Sequence, residues 1–92
     1  MKLWLISQSV NNGYDTYDSA VVAAPDEQAA RRINPSGEVW RDNGWHWQTQ
    51  DGSWERAYAG GAWTTPDHVT ATLIGQGKHK SGTVICASFN AG

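Results

Sequence analysis

Apolar and polar residues first alternate along Lys2-Leu3-Trp4-Leu5-Ile6-Ser7-Gln8, a run rich in β-formers that predicts a strand over 2–8. Asn11-Asn12-Gly13-Tyr14-Asp15 follows, a cluster whose Asn and Gly tolerate positive φ and so marks a turn. Residues 16–24, centred on Val21 and Val22, read as a second strand, paired with the first in a hairpin with a long loop. Over 25–33 the pattern becomes helical. Pro25 suits the first helical position. Asp26 and Glu27 then lie in the first turn and Arg31 and Arg32 in the last, each complementing the helix dipole. Ala29, Ala30 and Ile33 give a narrow apolar face, and Asn34-Pro35 ends the element. So short a helix does not persist alone in water, so it is expected to dock on a sheet.

The region 38–63 carries a different signal. It holds five of the six tryptophans, Trp40, Trp45, Trp47, Trp54 and Trp63, and two turn dipeptides, Asn43-Gly44 and Asp51-Gly52. Such dipeptides favour two-residue type I′ hairpins. With both turns formed, Trp40 faces Trp47, Thr49 faces Trp54, Trp47 faces Arg56 and Trp45 faces Tyr58. Period-two alternation then puts Trp40, Trp45, Trp47, Trp54 and Tyr58 on one face and His46, Gln48 and Glu55 on the other. A one-residue slip in either turn would scatter that set. Beyond it, 69–74 alternates as a strand, 75–82 is a polar connector with a small basic tip, and 83–89 (Thr-Val-Ile-Cys-Ala-Ser-Phe) is the most apolar strand, expected to be central and buried on both faces.

The order is therefore β-β-α, an aromatic β insert, then β-β. This predicts a single α+β domain over 1–92: a small, mainly antiparallel sheet, one short helix and an inserted Trp-rich hairpin or meander. A chain of 92 residues supports only one core. Its seven basic and nine acidic residues leave a net charge of −2 without clusters, which gives no electrostatic pull toward nucleic acid or an anionic membrane. The opening apolar run, Leu3-Trp4-Leu5-Ile6, is far shorter than the roughly 7–15 residues of a signal peptide core. No segment approaches the ~20 apolar residues of a membrane span. With a lone cysteine, Cys86, unable to form an internal disulfide, the expected location is cytoplasmic.

Catalytic and cofactor signatures are missing. Gly75-x-Gly77 lacks the third glycine and the following helix of a phosphate loop, and there is no nucleophile elbow or His-Glu-x-x-His. His46, His68 and His79 stand apart without metal-ligand spacing. Cys86, inside Val84-Ile85-Cys86-Ala87, is expected to be a buried, unreactive small hydrophobe. No catalytic residue, metal or cofactor is assigned. The loop carrying Tyr14, Asp15, Tyr17 and Asp18 is a candidate recognition loop, though its Asn and Asp side chains equally suit plain turn chemistry.

The aromatic residues Trp40, Trp45, Trp47, Trp54 and Tyr58, with Arg56, form the main candidate binding surface. Two readings stand. The rings supply core area that so short a helix cannot, or two or three of them form an exposed platform for a protein or a sugar. Trp45 and Trp47 are expected to be mainly structural, and Trp54 with Tyr58 nearer the surface.

Ile6-Ser7-Gln8 with 12–20, the helix 27–32 and Ile85-Cys86-Ala87-Ser88-Phe89-Asn90-Ala91-Gly92 resemble small proteins encoded by phages and prophages. The pool they resemble includes anti-CRISPR proteins and other inhibitors of host defence. The resemblance implies a short, non-enzymatic protein that acts by occluding a protein partner, and it carries no specific site residues. The alternative class is a carbohydrate-binding module that uses the Trp/Tyr face.

Overall fold

The computed structural model describes residues 1–11, 13–57 and 62–90, Asn90 by its backbone alone. Strands β1 (Lys2–Ser7), β2 (Thr16–Ala24), β6 (Thr70–Gln76) and β7 (Val84–Asn90) form one antiparallel sheet in the order β6-β1-β2-β7. Strands β3 (Val39–Arg41), β4 (Gly44–Gln48) and β5 (Trp54–Arg56) form a second, smaller antiparallel sheet. A five-residue helix, α1 (Glu27–Arg31), and a single 3-10 turn at Pro66–His68 complete the described elements. The described architecture is mostly antiparallel sheet with one short helix, which fits an α+β or a mainly β class. Among the described residues no helix is long and apolar enough to cross a membrane.

The helix is shorter than its 25–33 pattern suggests, and its first residue explains why. Asp26, not Pro25, opens it. With extended backbone (φ −152°, ψ 174°), its carboxylate accepts a 2.8 Å hydrogen bond from the Ala29 amide, an N-cap that fixes the boundary. At the other end Ile33 leaves the helical path to bridge Val39, and Asn34 closes a turn into β3 by accepting from the Ser36 amide and hydroxyl. Glu27 and Arg31 pair at 2.8 Å across one turn. Ala30, fully buried, is the point at which the helix docks onto β1, β2 and β6.

Alternation in the central hairpin builds the core. The β1–β2 register places Trp4 beside Val22 and Ile6 beside Ala20 on one face. These residues join Ala24, Ala30, Trp45, Trp63 and Val69 in one buried cluster. The buried Trp4 indole donates to the Ala24 carbonyl at 3.0 Å, so its one polar group is satisfied inside the core. The opposite face is mixed: a row of hydroxyls, Thr70, Ser7, Ser19 and Ser88, runs across all four strands beside Leu5, Val21 and Cys86.

The strand read as central is instead an edge. β7 pairs only with β2 among the described residues, and Ile85, Cys86 and Phe89 are exposed. The most apolar stretch of the chain thus lies at the rim, because the β1–β2 hairpin takes both central places and leaves β6 and β7 to add outside it. Cys86 is correspondingly exposed rather than buried.

Burial sets two mutational outcomes apart. Ile6→Ala, at a fully buried position, should destabilise the fold by about 2–5 kcal/mol in denaturant titrations. Cys86→Ser should stay within about 0.5 kcal/mol of wild type, and the native thiol should react readily with a maleimide. A native protein that resists the reagent would contradict an exposed Cys86.

Candidate functional site

The tryptophan sheet is shaped by two hairpins, and each turns one residue away from the register expected of its dipeptide. In the first, Asp42 and Asn43 both adopt left-handed backbone (φ 51° and 56°), so they are the central pair of the type I′ turn. Arg41 then faces Gly44 and Trp40 faces Trp45. Gly44 is used for room instead. Arg56 leans across it, with Nη2 donating to the Asp42 carbonyl at 2.9 Å and Nη1 to the Asn43 carbonyl at 3.4 Å, and a Cβ on Gly44 would lie 2.0 Å from Nη1.

In the second hairpin Gly52 (φ 90°) is the third residue of a three-residue loop that Thr49 and Ser53 close. That is a type I turn followed by a left-handed residue, not a two-residue I′ turn. Asp51 anchors it, accepting from the Thr49 hydroxyl and from the Ser53 amide at 3.0 Å. Those hydrogen bonds, that from Thr49 foremost, pull the Asp51 carboxyl down to about 2.

The slip in the second hairpin redistributes the candidate residues. His46 now faces Arg56, Trp47 faces Glu55 and Gln48 faces Trp54. Trp40, Trp45 and Trp47 still share a face, but Trp54 and Arg56 lie on the other, with His46 and Gln48, while Glu55 joins the tryptophans. The expected single face of five aromatic residues is therefore not formed, and Tyr58 lies outside the described residues.

Each ring has a distinct environment. Trp45 is buried, donates its indole N–H to the Thr64 carbonyl at 2.8 Å, and meets Trp40 edge-on, with centroids 5.1 Å apart and planes at 74°. Trp40 is half-buried against the core. Trp47, two residues further along β4, has run past the core and is 53% exposed, contrary to the structural role expected of it. Trp54 is 38% exposed, and the Arg41 guanidinium stacks 4.4 Å from its ring centre. The buried His46 ring places Nδ1 3.0 Å from the Gly44 carbonyl, within hydrogen-bond distance.

The recognition loop is likewise divided. Tyr14 projects into solvent, 82% exposed, and Asp15 takes a left-handed backbone (φ 59°). Tyr17 is half-buried, 4.8 Å from Phe89 and packed against the core, and the Asp18 carbonyl accepts from the Gln8 amide. Tyr17 and the Asp18 backbone thus help to hold the sheet, and Tyr14 alone of the aromatic pair faces outward.

Two features escaped the sequence pattern. Arg41 reaches Trp54 only in the observed register, so no local signal marks the pair. An open cleft of about 350 Å³ lies between α1 and the aromatic sheet, lined by Gln28, Arg31, Arg32, Trp40, Pro66 and Asp67. The two arginines read in sequence simply as partners of the helix dipole. Ahead of β3, burial pushes the Glu38 carboxyl up, against a partial offset from the Asn34 side-chain amide that donates to it at 3.1 Å. Among the described residues no three His, Cys, Asp or Glu side chains gather as a metal site. Comparison of the chain with family models, with curated proteins and with solved structures finds no match.

Two measurements test the turn chemistry. Gly44→Ala should stabilise by about 0.5–1 kcal/mol in an Arg56→Ala background, where the strand simply gains a Cβ. With Arg56 present that gain should vanish, a coupling of about 1 kcal/mol in a double-mutant cycle, and equal effects in both backgrounds would exclude the contact. For Asp51 the depressed value means that its contribution to the loop is complete above the ordinary Asp range, near pH 4. It is lost as the pH falls through about 2. An NMR titration of the Asp51 carboxyl should show that midpoint, and Thr49→Val should move it back up.

Proposed function

We propose that this protein is a non-enzymatic protein-binding module of phage or mobile-element type, with the projecting aromatic sheet as its contact surface. The observation that carries the reading is the exposure of Trp47 and Trp54 on a frame anchored by the buried Trp45. Large aromatic rings held rigidly in water lose little conformational entropy on docking, and Trp and Arg dominate the energetic centres of protein interfaces. Arg41, stacked on Trp54 and half exposed, adds a charged neighbour that a partner carboxylate can engage bidentately.

The alternative, a sugar-binding face, draws less support from the geometry. Stacking along a glycan favours rings presented in one plane on one side. Here Trp40 and Trp45 interlock edge-on, and the two exposed rings lie on opposite faces of a three-stranded sheet. A protein partner that grips the projecting sheet from both sides suits that arrangement better. The resemblance to phage-encoded inhibitors makes a bacterial defence complex, acting in the cytoplasm, the first partner to try.

The test is co-purification with candidate defence complexes, using wild-type protein and the Trp47→Ala and Trp54→Ala variants as bait. Both variants should keep a melting temperature close to that of wild type, since neither ring is buried, and lose the partner at least tenfold. Retention of the partner by both variants would remove the aromatic sheet as its contact surface. Binding to a glycan array that the same substitutions abolish would favour the sugar reading.

A further inference from the structure

The geometry points to a second, separate interaction surface: we infer that the free edge of β7 pairs antiparallel with β7 of a second copy of this chain, with Ser88 on the two-fold axis. Ala23 of β2 donates to Thr83 and accepts from Gly82, so Ala23 and, by alternation, Val21 and Ser19 face β7. The Asp18 carbonyl accepts from Gln8, so the even-numbered ones face β1. Val21 and Ser19 are aligned with Cys86 and Ser88, so Cys86 and Ser88 turn their amides and carbonyls toward β2. Ala87, aligned with Ala20, turns its own outward, and Phe89 does the same by alternation.

An isologous pair uses this pattern directly. With Ser88 opposite its counterpart, Ala87 of each copy lies opposite Phe89 of the other. Every outward N–H and C=O of those two residues then meets a partner, giving four backbone hydrogen bonds across the seam. Phe89, 47% exposed, meets the Ala87 methyl on the inner face. The register avoids the irregularity at Ile85, where β7 carries an extra residue against β2.

A second copy is the occupant for reasons of charge and symmetry. β7 contains neither a charged residue nor a proline, two of the features that usually keep edge strands apart, and pairing it with itself opposes no like charges. β6 is also an edge without charge, but β6 joined to β7 of the next copy is a head-to-tail contact that does not close. The β7 pair closes at two subunits into one eight-stranded sheet. A seam of the five residues 86–90 of each copy is short of the roughly 1,200 Å² of a stable interface, so the dimer is weak and concentration-dependent.

The experiment combines mass with register. Sedimentation equilibrium from micromolar to millimolar protein should show a monomer passing to twice the chain mass. Ala87→Pro, which removes an amide that the monomer does not use, should hold the protein monomeric with its circular dichroism unchanged. In the Cys86→Ser/Ser88→Cys variant, mild oxidation should give a disulfide-linked dimer, since the two Ser88 positions are opposite and not hydrogen-bonded. Cys86→Ser/Ala87→Cys should not crosslink. A monomer throughout the concentration range, growth beyond a dimer, or preferential crosslinking at position 87 would each overturn the proposal.

Discussion

The rest of the structure depends on how the inner face of the four-stranded sheet is covered. A helix of five residues is only about 7.5 Å long, whereas nine-residue β2 runs about 30 Å. The helix shields one corner through Ala30, and indole rings do the remainder: Trp4 from the sheet itself, Trp63 from the chain that leads into the 3-10 turn, and Trp45 from the second sheet. In a chain of this length, aromatic area replaces the second layer that longer domains build from helices.

That arrangement also explains the position of the candidate site. Trp45 is the point at which the small sheet is fastened to the large one, by its burial and by its hydrogen bond to Thr64. Trp47, two residues further along β4 on the same face, runs past the core, and the Thr49–Ser53 loop sets β5 so that Trp54 lies on the other face. The exposure of Trp47 thus follows from where Trp45 is anchored, and the side taken by Trp54 from the register of the second loop. One ring of the cluster therefore fixes the frame, and others are carried on it in contact with water.

The hairpins show how small contacts choose between registers. Arg56 covers the two carbonyls of the first turn by passing over Gly44, and Asp51 holds the second loop through Thr49 and Ser53. Each contact is local, yet between them they decide which aromatic rings share a face. In the four-stranded sheet position is likewise set by pairing: the central hairpin leaves β6 and β7 outermost, with apolar side chains in water along both.

By itself the sequence determined the elements whose causes are local. Alternation and apolar, β-rich runs marked β1, β2, β6 and β7 to within a residue or two, and Asn34-Pro35 marked the end of the helix, whose start lies at the Asp26 cap rather than at Pro25. The turn dipeptides located both hairpins of the aromatic region. Only the tertiary structure decided what rests on contacts between distant residues. In the first turn the positive φ values fall on Asp42 and Asn43, where Arg56 reaches back over Gly44, and in the second a one-residue difference in the loop moves Trp54 to the other face. Whether an apolar strand is central or at an edge depends on strand order, which no property of the strand encodes. Val84-Ile85-Cys86-Ala87 reads the same in either place, and only the pairing of β1 with β2 puts it at the rim.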